Sequence, residues 1–306
     1  MPVVSTAVVG LSLLAVAASP VASVEAPRPA SKVRLEYRFQ EEDVLRLEIQ
    51  ETSRLIAVKG ETRQEQGNKS TTESRYVVRE VSADGIATLR SRIVAAQMQC
   101  RFDDAKPIRF DSREEATPPA FRNVRAVIGV DRVEIEVKPD GTLVGARSLM
   151  KDQAARANPV GEDDLSLASA DVFPLLPTEP VSAGAEWTRI RTMRVSVGEG
   201  LNNRLTREVR ILDSFRLEEI EDGVAAITYR SAPLTAIDDP TIQLQVAPQK
   251  ASGTIRFDVA RGRVLERTKK VDNLTIGWQG PDSSLMTQRT RTERLMPAPQ
   301  SVSSRE

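Results

Sequence analysis

Apolar residues recur at every second position along most of this chain, and that period constrains what it can fold into. Leu35, Tyr37 and Phe39 share one face, with Arg34, Glu36 and Arg38 on the other. Leu45, Leu47 and Ile49 alternate with Arg46 and Glu48, and Val133, Ile135 and Val137 alternate with Glu134 and Glu136. Further along, Ile190, Val195 and Val197 are followed by Val209, Ile211, Phe215 and Leu217. Ile242, Leu244 and Val246 alternate with Gln, and Ile255, Phe257 and Val259 with Arg and Asp. Successive side chains of a strand point to opposite faces, so this pattern describes antiparallel sheet with one face covered and one charged. No βαβ pattern is present, which argues against a Rossmann fold or a TIM barrel.

The turns agree. Asp84-Gly85, Asp140-Gly141, Asp222-Gly223 and Arg261-Gly262 each separate two alternating runs. Gly supplies the positive φ of a tight hairpin, and Asp tolerates the neighbouring position. The same turns reveal an internal match. Arg79–Arg92 resembles Glu218–Arg230, Val133–Arg147 resembles Thr254–Arg267, and the strand start Phe39–Ile49 resembles Val181–Arg191, in the same order. The expected fold is mainly β: two related curved antiparallel sheets, duplicated half-barrel-like lobes, joined by a short helical segment. The lobes are placed at 33–147 and 181–296. A helical, Pro-rich connector is expected over 148–180, closed by Pro174, Pro177 and Pro180, and a second short helical turn near Pro118–Val127. Glu61–Ser74 reads as the polar end of a long hairpin, and 297–306 as a disordered, Pro- and Ser-rich tail.

The N-terminus sets a compartment. Residues 1–24 carry no charge, and Ala7–Ala18 is an unbroken apolar run. It is too short for a membrane span of about 20 residues and suits a signal-peptide core. A signal peptide is expected over 1–23, with an uncleaved anchor as the alternative, and an extended tether over 24–32, which places the chain outside the cytoplasm, in the periplasm, cell envelope or medium.

Composition removes whole classes of chemistry. The 306 residues include no His and a single Cys, Cys100. Without His, the commonest general base and the commonest metal ligand are both absent. One Cys forms no intrachain disulfide and no thiolate zinc cluster. The 43 basic and 43 acidic side chains cancel, and only 4% of residues are aromatic. That balance does not fit nucleic-acid binding, which wants excess positive charge and stacking platforms; Arg256, Arg267, Arg289, Arg291 and Arg294 therefore read as solvated strand faces.

Motifs for catalysis are weak. Ser148-Leu149-Met150-Lys151 fits S-x-x-K but lacks its companion elements, and helix capping by Ser148 explains it equally well. The acidic pairs Asp103-Asp104, Glu114-Glu115, Asp163-Asp164 and Asp238-Asp239 lie in polar loops. No catalytic residue, metal site or cofactor is assigned. Trp187 and Trp278 are the candidates for ligand contact, with core packing as the competing role.

The Ala83-Asp84-Gly85 hairpin, the run Pro180-Val181-Ser182-Ala183-Gly184-Ala185-Glu186-Trp187 and the strand Gly253-Thr254-Ile255-Arg256-Phe257-Asp258 resemble a family of exported bacterial β-proteins of unknown function. The resemblance extends over about residues 33–296 and is carried by turns and strand starts. The Pro-Val-x-x-Gly-x-x-Trp element is also similar to one in periplasmic half-barrel proteins of the lipoprotein-carrier kind. That likeness implies a non-catalytic envelope protein, peripheral to the membrane at most, whose partner is a lipid, another apolar ligand or a hydrophobic segment of an envelope protein. The alternative is a purely structural or interaction protein whose lobes pack on each other.

Overall fold

In the computed structural model, residues 32–150, 172–197 and 205–297 are described. The first lobe supplies β1 (Val44–Lys59), β2 (Thr62–Val81), β3 (Ala87–Phe102), a short β4 (Ile108–Asp111), β5 (Asp131–Val137) and β6 (Leu143–Ser148). The second supplies β7 (Glu186–Val197), β8 (Leu205–Glu221), β9 (Val224–Pro233), β10 (Ala251–Asp258), β11 (Arg263–Ile276) and β12 (Ser283–Leu295). Among the described residues the α-helices are α1 (Arg122–Val127), preceded by a 3-10 turn, and α2 (Pro240–Val246).

All the strands pair antiparallel in one sheet, ordered β6-β5-β3-β2-β1-β12-β11-β10-β9-β8-β7, with β4 added beside β3. The expected sheets of the two lobes are therefore continuous. They meet where β1 pairs with β12, in an unbroken register from Leu47↔Leu295 to Lys59↔Ser283. The sheet stays open: β6 and β7 are its two edges. From residue 32 onward the chain forms one compact unit.

The hairpin turns behave as their sequences require. Gly85, Gly141, Gly223 and Gly262 all have positive φ, and Asp222 joins Gly223 in that region. With β8 ending at Glu221 and β9 beginning at Val224, Asp222-Gly223 forms a two-residue turn of the primed kind.

The alternation sorts the two faces. Inward positions supply Val78, Leu89, Ile135, Val137, Leu217, Ile227, Ile255 and Phe257, each at most 1% exposed, and these belong to one cluster drawn from both lobes. Outward positions carry cross-strand ion pairs: Arg46–Glu73, Arg54–Glu65 and Arg294–Glu266. Arg90 and Arg147 both donate to Glu134. Solvent-exposed pairs add little stability, about 0–1 kcal/mol each, whereas Glu134 is buried between its two guanidinium partners.

Three readings need correction. Residues 33–39 alternate like a strand yet join no ladder apart from the single bridge Val33↔Val181. They run extended across one end of the sheet. There the Tyr37 backbone N–H donates to Pro139 O at 2.7 Å, and that of Arg38 to Gly262 O at 3.2 Å. One buried face requires only an extended backbone, and hydrogen bonds to turns satisfy it as well as a ladder does. Second, Ile242–Val246 is helix. Asp239 accepts from the backbone N–H groups of Thr241 and Ile242, Pro240 occupies the first turn, and Ile242 and Val246 are buried one turn apart. Third, Ser148 ends β6 and caps no described helix, its Oγ accepting from Met150 N at 3.3 Å. The expected long hairpin is present, with Glu61–Ser74 spanning its turn and the polar start of β2. The described parts of the connector, 148–150 and 172–180, contain no helix. The readings for the signal peptide, the tether before residue 32, connector residues 151–171, the Gly198-Glu199-Gly200 tip and the tail after 297 lie outside the described residues.

Candidate functional site

The segment 173–176 crosses the same end of the sheet as 33–39, and together they form its floor. Tyr37 Oη donates to Pro174 O at 3.0 Å, and Leu176 N donates to Asp140 O at 2.8 Å. Aromatic edges lock the layer: Phe173 meets Tyr37 at 5.5 Å and Phe39 at 5.8 Å, both near perpendicular, and Phe257 meets Tyr37 at 5.6 Å. Burial drives the Tyr37 hydroxyl's pKa well above its ordinary value, so it serves as a fixed donor.

Beside this floor lies a cavity of about 530 Å³. Its wall includes Leu143 and Val144 of the β6 edge, Arg189, Arg191 and Met193 of the β7 edge, and Phe215, Tyr229 and Arg267 of the strands between. Residues of both edges line one space, so the sheet curves until its two ends face each other. Phe173 and Leu175 close the cavity on the floor side.

The wall has two characters. Leu143, Val144, Phe173, Leu175, Met193 and Phe215 make an apolar part. Interspersed with it are the cations Arg189, Arg191, Arg194, Arg267 and Lys269 and, among the described residues, the anions Glu208 and Asp213. Arg191 Nε donates to Asp213 Oδ2 at 2.7 Å, and Asp213 is buried. Arg189 donates to Leu176 O at 3.1 Å and stands 3.7 Å from Asp140. The Arg267 guanidinium lies 5.1 Å from the centre of the Tyr229 ring, which presents its negative face to the cation. Tyr229 in turn donates to Thr268 O at 3.0 Å.

A charged belt continues along the inward face. Arg289 pairs with Glu51 at 2.5 Å and Arg291 with Glu293 at 2.6 Å. Burial pushes Tyr76 up to about 12, with Glu293 raising it and Arg291 and Arg132 pulling it down. Arg132 faces Tyr76, and burial lowers its pKa. It sits opposite the register shift between Ser91 and Arg92, and a bulge re-aims the side chain it carries.

Neither tryptophan lines the cavity. Trp187 is half-buried behind it, stacked on Phe215 at 5.4 Å with its indole N–H donating to Leu175 O at 3.2 Å. It thus supports two lining residues from outside. Trp278 lies in the turn between β11 and β12 and is not part of this wall. The basic residues grouped from sequence divide between faces: Arg267, Arg289 and Arg291 point inward, while Arg256 is exposed and Arg294 pairs with Glu266 outside. Cys100 is half-buried and accepts a long contact from Gln66 Nε2 at 3.9 Å. Of the acidic pairs, Asp239 caps α2 and Asp103 accepts from Glu65 N at 2.6 Å. Among the described residues no three His, Cys, Asp or Glu side chains cluster as metal ligands. No helix among them is long and apolar enough to cross a membrane.

No protein-family model matches the chain, and no curated protein sequence does so significantly. Among solved structures it is similar to one titled for lipid-protein interactions in lipovitellin, at 10% identity and a TM-score of 0.49. That match covers 85% of this chain and 26% of the other, so this chain spans about a quarter of the lipovitellin chain. The translocator domain of the autotransporter NalP from Neisseria meningitidis matches at 7% identity and a TM-score of 0.27, covering 86% of this chain and 91% of that one. DynF from the dynemicin biosynthesis pathway of Micromonospora chersina matches at 10% identity and a TM-score of 0.24, covering 92% and 94%. These are distant β-rich neighbours and assign no function.

Proposed function

We propose that this chain is a non-catalytic binding protein of the cell envelope, whose cavity between the β6 and β7 edges takes a ligand with a substantial apolar part. One observation carries the reading. A sheet whose lobes only bury each other fills its interior to crystal-like density, whereas here about 530 Å³ stands open beside Phe173, Leu175 and Phe215. That volume falls within the range of about 300–1,000 Å³ typical of small-molecule sites. The structural alternative draws its support from the shared cluster around Phe257, which both lobes fill. Export rests on the apolar run Ala7–Ala18.

The test is native mass spectrometry of mature protein from the envelope fraction, together with displacement of an environment-sensitive apolar dye. A co-purified ligand is expected, along with dye binding that Val144→Trp abolishes by filling the mouth. Val144 lines the cavity and is half exposed, so the change leaves the core alone. Dye bound equally by Val144→Trp and wild type, or not at all, refutes the cavity as the site. Turnover of any substrate lost on a single Asp or Glu substitution refutes the non-catalytic part.

A further inference from the structure

We infer that the cavity admits an extended segment of a partner polypeptide, apolar at alternate positions, which lies between the β6 and β7 edges as an added strand. The inference rests on the cavity being the ligand site and names what fills it. Residues 189–194 of β7 line the cavity without a break, as do residues 141–145 at the start of β6. Successive side chains of a strand point to opposite faces, so a space above one face touches every second residue. A space that touches each residue in turn lies alongside the strand. The cavity is therefore a slot between two edges. The run from 189 to 194 gives it a length of about 17 Å, at a strand's rise of ~3.3 Å per residue.

Both edges turn unpaired backbone toward this slot. Among the described residues β7 pairs with β8 alone, and β6 with β5 alone. The Leu217 N–H donates to Ala185 O at 2.9 Å, which makes Ala185 and Leu217 a hydrogen-bonded pair. Bonded and non-bonded pairs alternate along an antiparallel ladder, and this one holds its register from Glu186↔Arg216 to Val197↔Leu205. Trp187, Arg189, Arg191 and Met193 hence exchange bonds with β8, whereas Thr188, Ile190 and Thr192 aim N–H and C=O into the slot. Across it the Lys138 N–H donates to Thr142 O, so the next pair, Val137↔Leu143, leaves the Leu143 groups on the open side.

The side chains suit a strand as well. Each edge carries an exposed β-branched residue, Ile190 at 51% and Val144 at 49%, the type favoured beside another strand. The guanidiniums of β7 do not close the edge: Arg189 donates to Leu176 O and Arg191 to Asp213. Arg189 also stands 3.7 Å from Asp140, in the turn before β6, so one side chain spans the slot at its floor end. A hydrocarbon would cover Phe215 and Leu175 but leave the backbone groups of both edges without partners, at about 1–3 kcal/mol for each one desolvated. An extended peptide pairs with both edges, and its alternate side chains meet Phe215, Leu175 and Met193 on the inner side.

The test uses wild-type protein and a short end-capped peptide of alternating threonine and valine, read by displacement of the apolar dye. Two further peptides carry N-methyl groups on the valines only or on the threonines only. Successive N–H groups of an extended chain point to opposite sides, so each form silences one edge. Both should bind about tenfold more weakly than the parent, for hydrogen bonds lost in a desolvated slot. Ile190→Pro removes a slot-facing N–H that β8 does not use; it should weaken the parent peptide by a similar factor while holding the dye within about twofold. Ile190→Thr should keep the peptide. If Ile190→Pro fails to fold, the methylated peptides on wild type decide. Methylated peptides that bind like the parent, or a folded Ile190→Pro that binds the parent like wild type, overturn strand pairing and leave the apolar cavity standing. Weakening by one methylated form alone overturns the bridge between edges. Laurate displacing the dye where the peptide does not makes the occupant a lipid, and dimers that the peptide dissociates make it a second copy; either overturns the inference. Dye that fails to bind overturns the cavity reading itself.

Discussion

Gly253 shows how a single residue carries constraints from three strands. A Cβ there would lie 1.9 Å from Thr268 O and 2.8 Å from the Tyr229 ring. Tyr229 is its cross-strand partner and reaches over it to donate to that same Thr268 O. The glycine thus admits the ring that supports Arg267. Gly253→Ala should destabilise by about 2–4 kcal/mol, the overpacking cost plus a lost hydrogen bond. Gly67→Ala in β2, with open space at its Cβ, should stay within about 0.5 kcal/mol in the same denaturation assay. A second residue tests the outer face. Burial raises the pKa of Glu134, but the donors from Arg90 and Arg147 outweigh it and hold the carboxyl below its ordinary value. A depressed folded-state pKa contributes stability that is present above the usual carboxylate value of about 4.3 and lost as pH falls through the folded one. Glu134→Gln should therefore cost about 1–2 kcal/mol at neutral pH. The gap from wild type should narrow below about pH 4; a gap unchanged at pH 3 would show that packing and not charge sets it. Trp187→Ala should cost about 2–3 kcal/mol, toward the low end for a large aromatic because the ring is only half-buried. Sequence marks Trp187 as an anchor by its size. It cannot show that Phe215 and Leu175 are what the ring anchors, because those neighbours follow from strand register and from a loop crossing.

At the scale of elements, alternation and turn chemistry made most of the sheet readable. The Asp-Gly hairpins fell where the turn residues demanded positive φ. Two elements escaped for different reasons. Residues 240–246 present Ile242, Leu244 and Val246 at a period of two, but Ile242 and Val246 are also one helical turn apart. The deciding signal was the preceding Asp-Asp-Pro, a capping side chain followed by a residue pre-set for the first turn. Asp239→Ala should lower stability by about 1 kcal/mol, and Asp238→Ala by less than about 0.5, read from thermal midpoints. Equal effects from the two would mean that α2 does not depend on its cap. Residues 33–39 escaped because their partners are turn carbonyls more than a hundred positions away. The cavity shared this obscurity. Its walls come from β6, β7, β11 and the floor, and no local pattern declares that edge strands so far apart along the sheet will face each other.

The whole molecule combines two runs of hairpins with one core. The segments paired in sequence fall on hairpins in the same order: Arg79–Arg92 spans β2 and β3 where Glu218–Arg230 spans β8 and β9, and Val133–Arg147 spans β5 and β6 where Thr254–Arg267 spans β10 and β11. The two turn glycines in that second match, Gly141 and Gly262, both sit against the floor. A Cβ on Gly141 would meet Pro174 O at 2.4 Å, and one on Gly262 would meet Arg38 N and Glu36 O at 2.6 Å. The floor therefore ties corresponding corners of the two lobes together. The β1–β12 ladder ties them again at the centre of the sheet, and Leu35, Tyr37, Leu89, Ile135, Leu217, Ile227 and Phe257 share one cluster. Separate lobes would each leave half of that cluster and one long strand edge open to water, a large loss for a net stability of about 5–15 kcal/mol. Unfolding should accordingly be a single transition. Pulsed hydrogen exchange across a denaturant series reads each lobe separately. Amides of β2–β3 and of β8–β9 should lose protection at the same denaturant concentration, with the floor segment 33–39 following them and not preceding them. Two resolved midpoints would make the lobes independent domains, and the cavity between their outer edges would then open without disturbing the core.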